Sequence, residues 1–423
     1  MKDRYDLRLT TSSERARDAY VLGLDRFLAA RPGVEEALGC ALDADPELAL
    51  AHVTLGRFRQ VTGDRAGAVA ALTKAKACAG DLTAREAGQV AIFDLLIAGK
   101  SAEGYAAARA QLRDYPRDVL TAQACLGALG LIGFSGRPGR EAENLALAEE
   151  LAPHYGKDWW HQALLGFAQL ETGQLDRAET SITCALDGNP DNAHAAHIRS
   201  HLFYERGETD AGYAFITRWR DGYDRAAQMH CHISWHIALW ALERGHVDEM
   251  WRVIDRDVDP RHAWGPPINV VSDLAAVLYR AEMAGVMVPK ERWQVIADYT
   301  AEHFPKPGLG FADMHGALSY AMAGRPEALG RIITGAKGPA ADLVRDLAEA
   351  FGAIAAQDWA RADLLLTRSL ADHARIGGSR AQRDLIEFAS LMVLLRLGRK
   401  QEARRQLAMH RPRIAVRNSL AGM

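Results

Sequence analysis

Two stretches of this 423-residue chain carry small and apolar residues at identical intervals, and that identity restricts the fold more than any other feature. Leu55-Gly56, Gly63, Ala68, Leu72 and Ala75 form one set; Leu165-Gly166, Gly173, Ala178, Ile182 and Ala185 form the other, with Pro190 beyond it. Each set describes a helix, a turn glycine and a second helix that meets the first across glycine and alanine, where no large side chain holds the backbones apart. Gly99, Gly207, Gly245, Gly285, Gly324 and Gly398 mark further turns, each after one apolar helix and before another. No alternating strand pattern competes.

A period of about 34 residues with glycine and alanine at these places is that of the tetratricopeptide repeat. The chain is therefore predicted to be all-α, a tetratricopeptide-type α/α superhelix in the form of a right-handed solenoid of helical hairpins. It reads as one domain over 1–423, with an N-terminal capping hairpin at 1–48, a repeat core at 49–330 and C-terminal hairpins at 331–423. Thr11-x-x-Glu14, Thr83-x-x-Glu86 and Ser379-x-x-Gln382 have the capping-box pattern of helix starts. The proline-rich stretch 257–269 reads as a loop within the solenoid. The apolar stretch 120–134, interrupted by three glycines and shorter than the ~20 residues of a membrane span, reads as a buried helix pair.

With 51 Lys and Arg against 54 Asp and Glu, a formal charge of −3 favours neither nucleic acid nor an anionic membrane as a partner. The first twenty residues are charged throughout and lack the apolar core of a secretory signal, so a cytoplasmic protein is expected. Cys40, Cys78, Cys125, Cys184 and Cys231 are scattered and odd in number, as expected of small core residues in a reducing compartment. Oligomeric state is open, a homo-oligomer included.

Two histidine pairs stand out: His197 with His201, and His232 with His236. Spacing i, i+4 places both imidazoles of a pair on one face of a helix. Counted back from the turn glycines, His197, His201 and His232 fall on the stripe of the first helix that faces the concave groove of such a superhelix, as does Trp160. His236 and His315 fall beside that stripe. Asp313 lies two residues before His315, and Asp273 and Arg280 lie two turns apart in the intervening hairpin. The expectation is a polar, titratable pocket built on facing helices.

These residues sit in segments that resemble, over nearly the whole chain, the tetratricopeptide repeat protein thirty-eight family, and the chain is identified as a bacterial member. The matching segments are DADPELALAHV, LTAREAGQV, NPDNAHAAHIRSH, HISWHIALWALERG, VSDLAAVLYRAEMAGV, ERWQVI, FADMH and GGSRAQRD. The resemblance implies histidine at 197, 201, 232, 236 and 315 as a family feature. It departs at Gln89, where the family pattern has histidine; glutamine hydrogen-bonds but does not titrate. No reaction comes with the resemblance.

The residues suit three chemistries. His197, His201, His232, His236 and His315, with Asp273 or Asp313, are candidate ligands for a divalent transition metal, although no HExxH signature is present. Without metal, the histidines and Asp313 are candidate acids and bases, with Trp160, Asp273, Arg280, Arg383 and Asp384 holding a substrate. Cys231, between His230 and His232, is a weaker candidate nucleophile. Ser379 and Gln382 cap a helix that would let the 377–384 segment close over the histidines. The third possibility is a scaffold that binds a protein or peptide in its groove. A groove of His, Trp and Asp tips the reading toward a small-molecule pocket, and toward an enzyme of hydrolase or lyase type.

Overall fold

The computed structural model describes residues 1–423 apart from 79, 81 and 415–418. Among the described residues the regular structure is 22 α-helices, a π-helical turn at Ile254–Val258 and a 3-10 turn at His373–Ile376. Consecutive helices pair as antiparallel hairpins, and the repeat signature shows why they pack closely. A Cβ on Gly166 would lie 2.8 Å from Cγ1 of Ile182, so the Trp159–Glu171 helix meets Leu175–Gly188 at a distance only glycine permits. Ala178 and Ala185 complete that contact, fully buried. All eight turn glycines marked by the sequence have φ between 70° and 92°, the left-handed region in which a β-carbon is strained.

Helix starts follow the sequence with one correction. Thr83 and Ser379 form complete capping boxes with Glu86 and Gln382. In the first helix, Glu14–Leu28, the cap is instead Ser13, whose Oγ accepts from the Ala16 N–H at 3.1 Å; Thr11 donates to Asp45 across the hairpin. The 120–134 stretch is not a helix pair. One short helix, Val119–Cys125, ends there, and turns follow so tightly that a Cβ on Gly130 would lie 2.4 Å from the Leu126 carbonyl oxygen. Only Cys125 and Cys231 are buried; Cys40 is exposed, off the apolar stripe of Val34–Ala44, and Cys78 and Cys184 are half-buried.

The superhelix folds back on itself. Ala193 N–H donates to the Ala29 carbonyl at 3.0 Å, and the helix Arg380–Arg396 packs against both Ala193–Arg206 and Pro267–Met283. Arg140 Nη2 and Arg383 Nη1 donate to the Gly378 carbonyl at 2.8 and 2.7 Å, and Arg383 also pairs with Glu141 and Glu171. Gly378 itself has φ 71°, and a Cβ there would lie 2.4 Å from the Phe311 ring. Gly378→Ala is therefore expected to destabilise the fold by about 1–3 kcal/mol, visible as a lowered urea midpoint at unchanged slope. An unchanged midpoint would show that the segment rearranges freely. No helix among the described residues is long and apolar enough to cross a membrane.

Candidate functional site

Folding back of the superhelix forms a partly open cavity of about 480 Å³, within the size range of small-molecule sites. Its body is apolar, with Phe27, Phe134, Trp160, Phe167 and Met229 in the wall. At one side His194, His197 and His232 line it. Ser379 and Gln382 line it too, and Ser379 is 1% exposed in a segment pinned by the arginine contacts above. The 377–384 segment thus forms part of the cavity wall in this structure.

His197 and His201 project from Ala193–Arg206, and His232 and His236 from His230–Glu243, the first helix of the next hairpin. One helical turn separates the members of each pair, and stacking the helices brings the pairs face to face. The four side chains each offer a ring nitrogen within 4.8 Å of all the others. His197 is the hub: its Nε2 lies 2.7 Å from that of His201, 3.0 Å from that of His232 and 3.1 Å from that of His236. A ring nitrogen has one in-plane direction, holding either an N–H or a lone pair. Three nitrogen neighbours at such distances therefore exceed what hydrogen bonding accommodates.

Asp273, on Pro267–Met283, stands behind the tetrad. Its Oδ1 and Oδ2 lie 2.8 and 3.0 Å from His232 Nδ1, so the His232 N–H donates there and its Nε2 lone pair faces the other imidazoles. Trp235 stacks on His232 at 5.2 Å and fixes the ring from the side. Burial, reinforced by the neighbouring imidazoles, holds His197 and His236 well below the usual histidine range and His201 at about 3. These rings are neutral at neutral pH. Asp273 is fully buried and its carboxyl is pushed up by that burial, opposed by His232. The cluster thus has a buried aspartate behind it and no Lys or Arg in contact with that side chain among the described residues.

Several sequence-predicted members lie elsewhere. His315 is fully buried, with Nδ1 donating at 2.8 Å to the Phe311 carbonyl one turn earlier, and it joins neither the tetrad nor the cavity wall. Asp313 Oδ2 accepts from the Gly308 N–H at 2.9 Å, a helix-start contact, and no His315–Asp313 hydrogen bond or ion pair is present among the described residues. Arg280 stacks over Phe388 at 4.0 Å and faces Glu243 at 3.9 Å. Arg383 is committed to Glu141 and Glu171, and Asp384 to Tyr204 and Arg411. Arg280, Arg383 and Asp384 are held by packing between distant helices, which repeat position does not reveal. The Cys231 thiol is pushed up by burial beside Asp273, the reverse of what a nucleophile needs. Gln89 donates to Asp118, outside the tetrad. His194, three residues before His197 and in the cavity wall, escaped the sequence reading although its i, i+3 spacing was visible.

Burial pulls the His315 imidazole down to about 4, its ordinary value being about 6.5. The unfolded chain then takes up a proton near pH 6.5 that the folded chain refuses until about pH 4. The stability this neutral ring contributes is complete above pH 6.5 and lost as pH falls through that window, by about 3 kcal/mol. His315→Asn should flatten the acid limb of stability by that amount, measured by urea unfolding at pH 7.5 and 4.5. Parallel acid limbs would contradict it.

No protein-family model matches the chain. Human IFIT1, as a dimer with m7Gppp-AAAA, aligns over 97% of this chain and 97% of its own at 10% identity, with a TM-score of 0.46. The tetratricopeptide domain of P58(IPK) aligns over 93% of this chain and 98% of its own at 15% identity, with a TM-score of 0.23. At these identities and scores the likenesses decide neither family nor ligand.

Proposed function

We propose that the chain is a transition-metal protein of tetratricopeptide type, with the ion at the wall of a small-molecule cavity, acting as a hydrolase or lyase. The observation that carries this is the convergence of four buried ring nitrogens within 4.8 Å. An ion holding four nitrogens at about 2.0–2.1 Å sets them about 3.3–3.4 Å apart in a tetrahedron, close to the spacing around His197. Imidazole favours zinc, copper, iron or nickel over magnesium or calcium. A divalent ion would also balance the buried Asp273 carboxylate. The His232–Asp273 contact is the carboxylate–histidine–metal relay that fixes a ligand's tautomer.

His197 and His232 face the cavity, whereas His201 and His236 are not in its wall, so the ion would be reached from the cavity side. There it would polarise a bound carbonyl or water. A second reading is favoured by the His232–Asp273 pair itself: an oriented imidazole acting as general base without metal. Membership of the tetratricopeptide repeat protein thirty-eight family, the single-domain division of the chain and a cytoplasmic setting belong to the proposal, supported by the matching segments and the repeat pattern.

Elemental analysis of the purified protein tests the metal directly; about one zinc-class ion per chain is expected, and none after gentle purification would favour the metal-free base. Asp273→Asn is expected to weaken metal affinity about 10–100-fold in competition with a chromophoric chelator. Unchanged affinity would remove Asp273 from the site.

A further inference from the structure

We propose that the cavity takes a small molecule with an apolar body and one negative charge, a hydrophobic carboxylate, seated on Arg57. The inference rests on the reading of this cavity as the small-molecule site. Of the described residues lining it, Arg57 alone carries a fixed charge, and no Asp, Glu or Lys is among them. Arg57 Nε donates to Gln123 Oε1 at 3.2 Å and Nη1 to Gln60 Oε1 at 2.8 Å. Gln60 is itself oriented by donating to the Leu96 carbonyl at 3.0 Å. Two neutral amides aim the guanidinium without neutralising it.

Nη2 has no protein partner among the described residues and retains accessible surface. Burial pulls the guanidinium down to about 10, with no carboxylate opposing it. Arg280, Arg383 and Arg411, by contrast, each face a glutamate. A cation left unbalanced in an apolar wall is costly unless an anion is supplied, and the guanidinium fork matches a carboxylate in two parallel hydrogen bonds. One cation balances one charge, which favours a carboxylate over a phosphate dianion. The aromatic wall supplies the apolar contact for the rest of the molecule.

The test is calorimetric binding of octanoate, octanamide, octylammonium and octyl phosphate to the full-length protein, before and after chelation of metal. Octanoate is expected to bind about 10–100-fold more tightly than octanamide, with octylammonium weakest. Arg57→Gln should abolish that preference without lowering the melting temperature, and Arg57→Lys should retain part of it. The preference should survive chelation. Equal binding of octanoate and octanamide overturns the proposal, as does octyl phosphate binding more tightly than octanoate. A preference that survives Arg57→Gln but vanishes on chelation also overturns it, placing the carboxylate on the metal and leaving the metal reading intact. If no probe binds, the proposal falls together with the small-molecule reading of the cavity.

Discussion

Arg411→Leu is expected to lower the stability of the fold by about 3–5 kcal/mol, read from urea unfolding at neutral pH. Arg411 Nη1 and Nη2 donate to Glu205 Oε2 and Oε1 at 2.7 and 2.9 Å, and Nη2 lies 2.8 Å from Asp384. All three side chains are buried, and Asp384 also accepts from the Tyr204 hydroxyl at 2.7 Å. Leucine removes the cation and leaves two carboxylates buried without it, which costs far more than a surface ion pair returns. The network ties the C-terminal segment to the Ala193–Arg206 helix that bears His197 and His201, so the same substitution should loosen the tetrad. A loss below about 1 kcal/mol would mean that water reaches these carboxylates and the closure is not tight.

His197→Ala is expected to have the largest effect on metal binding, greater than the about 10–100-fold assigned to the outer partner Asp273. His197 Nε2 is the nitrogen that all three others approach, and its removal takes away one ligand and the centre of the cluster together. The substituted protein should retain the helical signal, because the tetrad is polar and contributes little to the apolar core around it. His194→Ala is the control: it faces the same cavity but is outside the tetrad, and it should keep its metal. Equal loss in both substitutions would point to collapse of the cavity wall instead of removal of a ligand.

The turn glycines and the two histidine pairs were legible because both obey local rules. A glycine after one apolar helix and before the next reports a left-handed backbone, and i, i+4 spacing reports a shared helix face. Stacking of successive hairpins then brings those faces together without further information. Arg383, Asp384 and Arg280 were misplaced for the opposite reason. Their partners come from distant turns of the superhelix, as in the pairing of Arg383 with Glu141 and Glu171, and no repeat position encodes a contact made by closure. His315 carries the right repeat position on the wrong helix; its ring satisfies the carbonyl one turn back. Arg57 was passed over because an arginine in an amphipathic helix looks like surface until closure walls it in. The 120–134 stretch misled because its glycines serve compact turns, where an apolar run suggested helix.

Whether His197, His201, His232 and His236 hold a metal ion is decided by X-ray absorption at the metal edges of the purified protein. The expected spectrum shows one zinc-class ion per chain with a first shell of imidazole nitrogen, joined by at most one oxygen on the cavity side, at about 2.0–2.1 Å and the outer-ring scattering of imidazole. No edge at stoichiometric level, or a first shell containing sulfur, would contradict ligation by the four histidines.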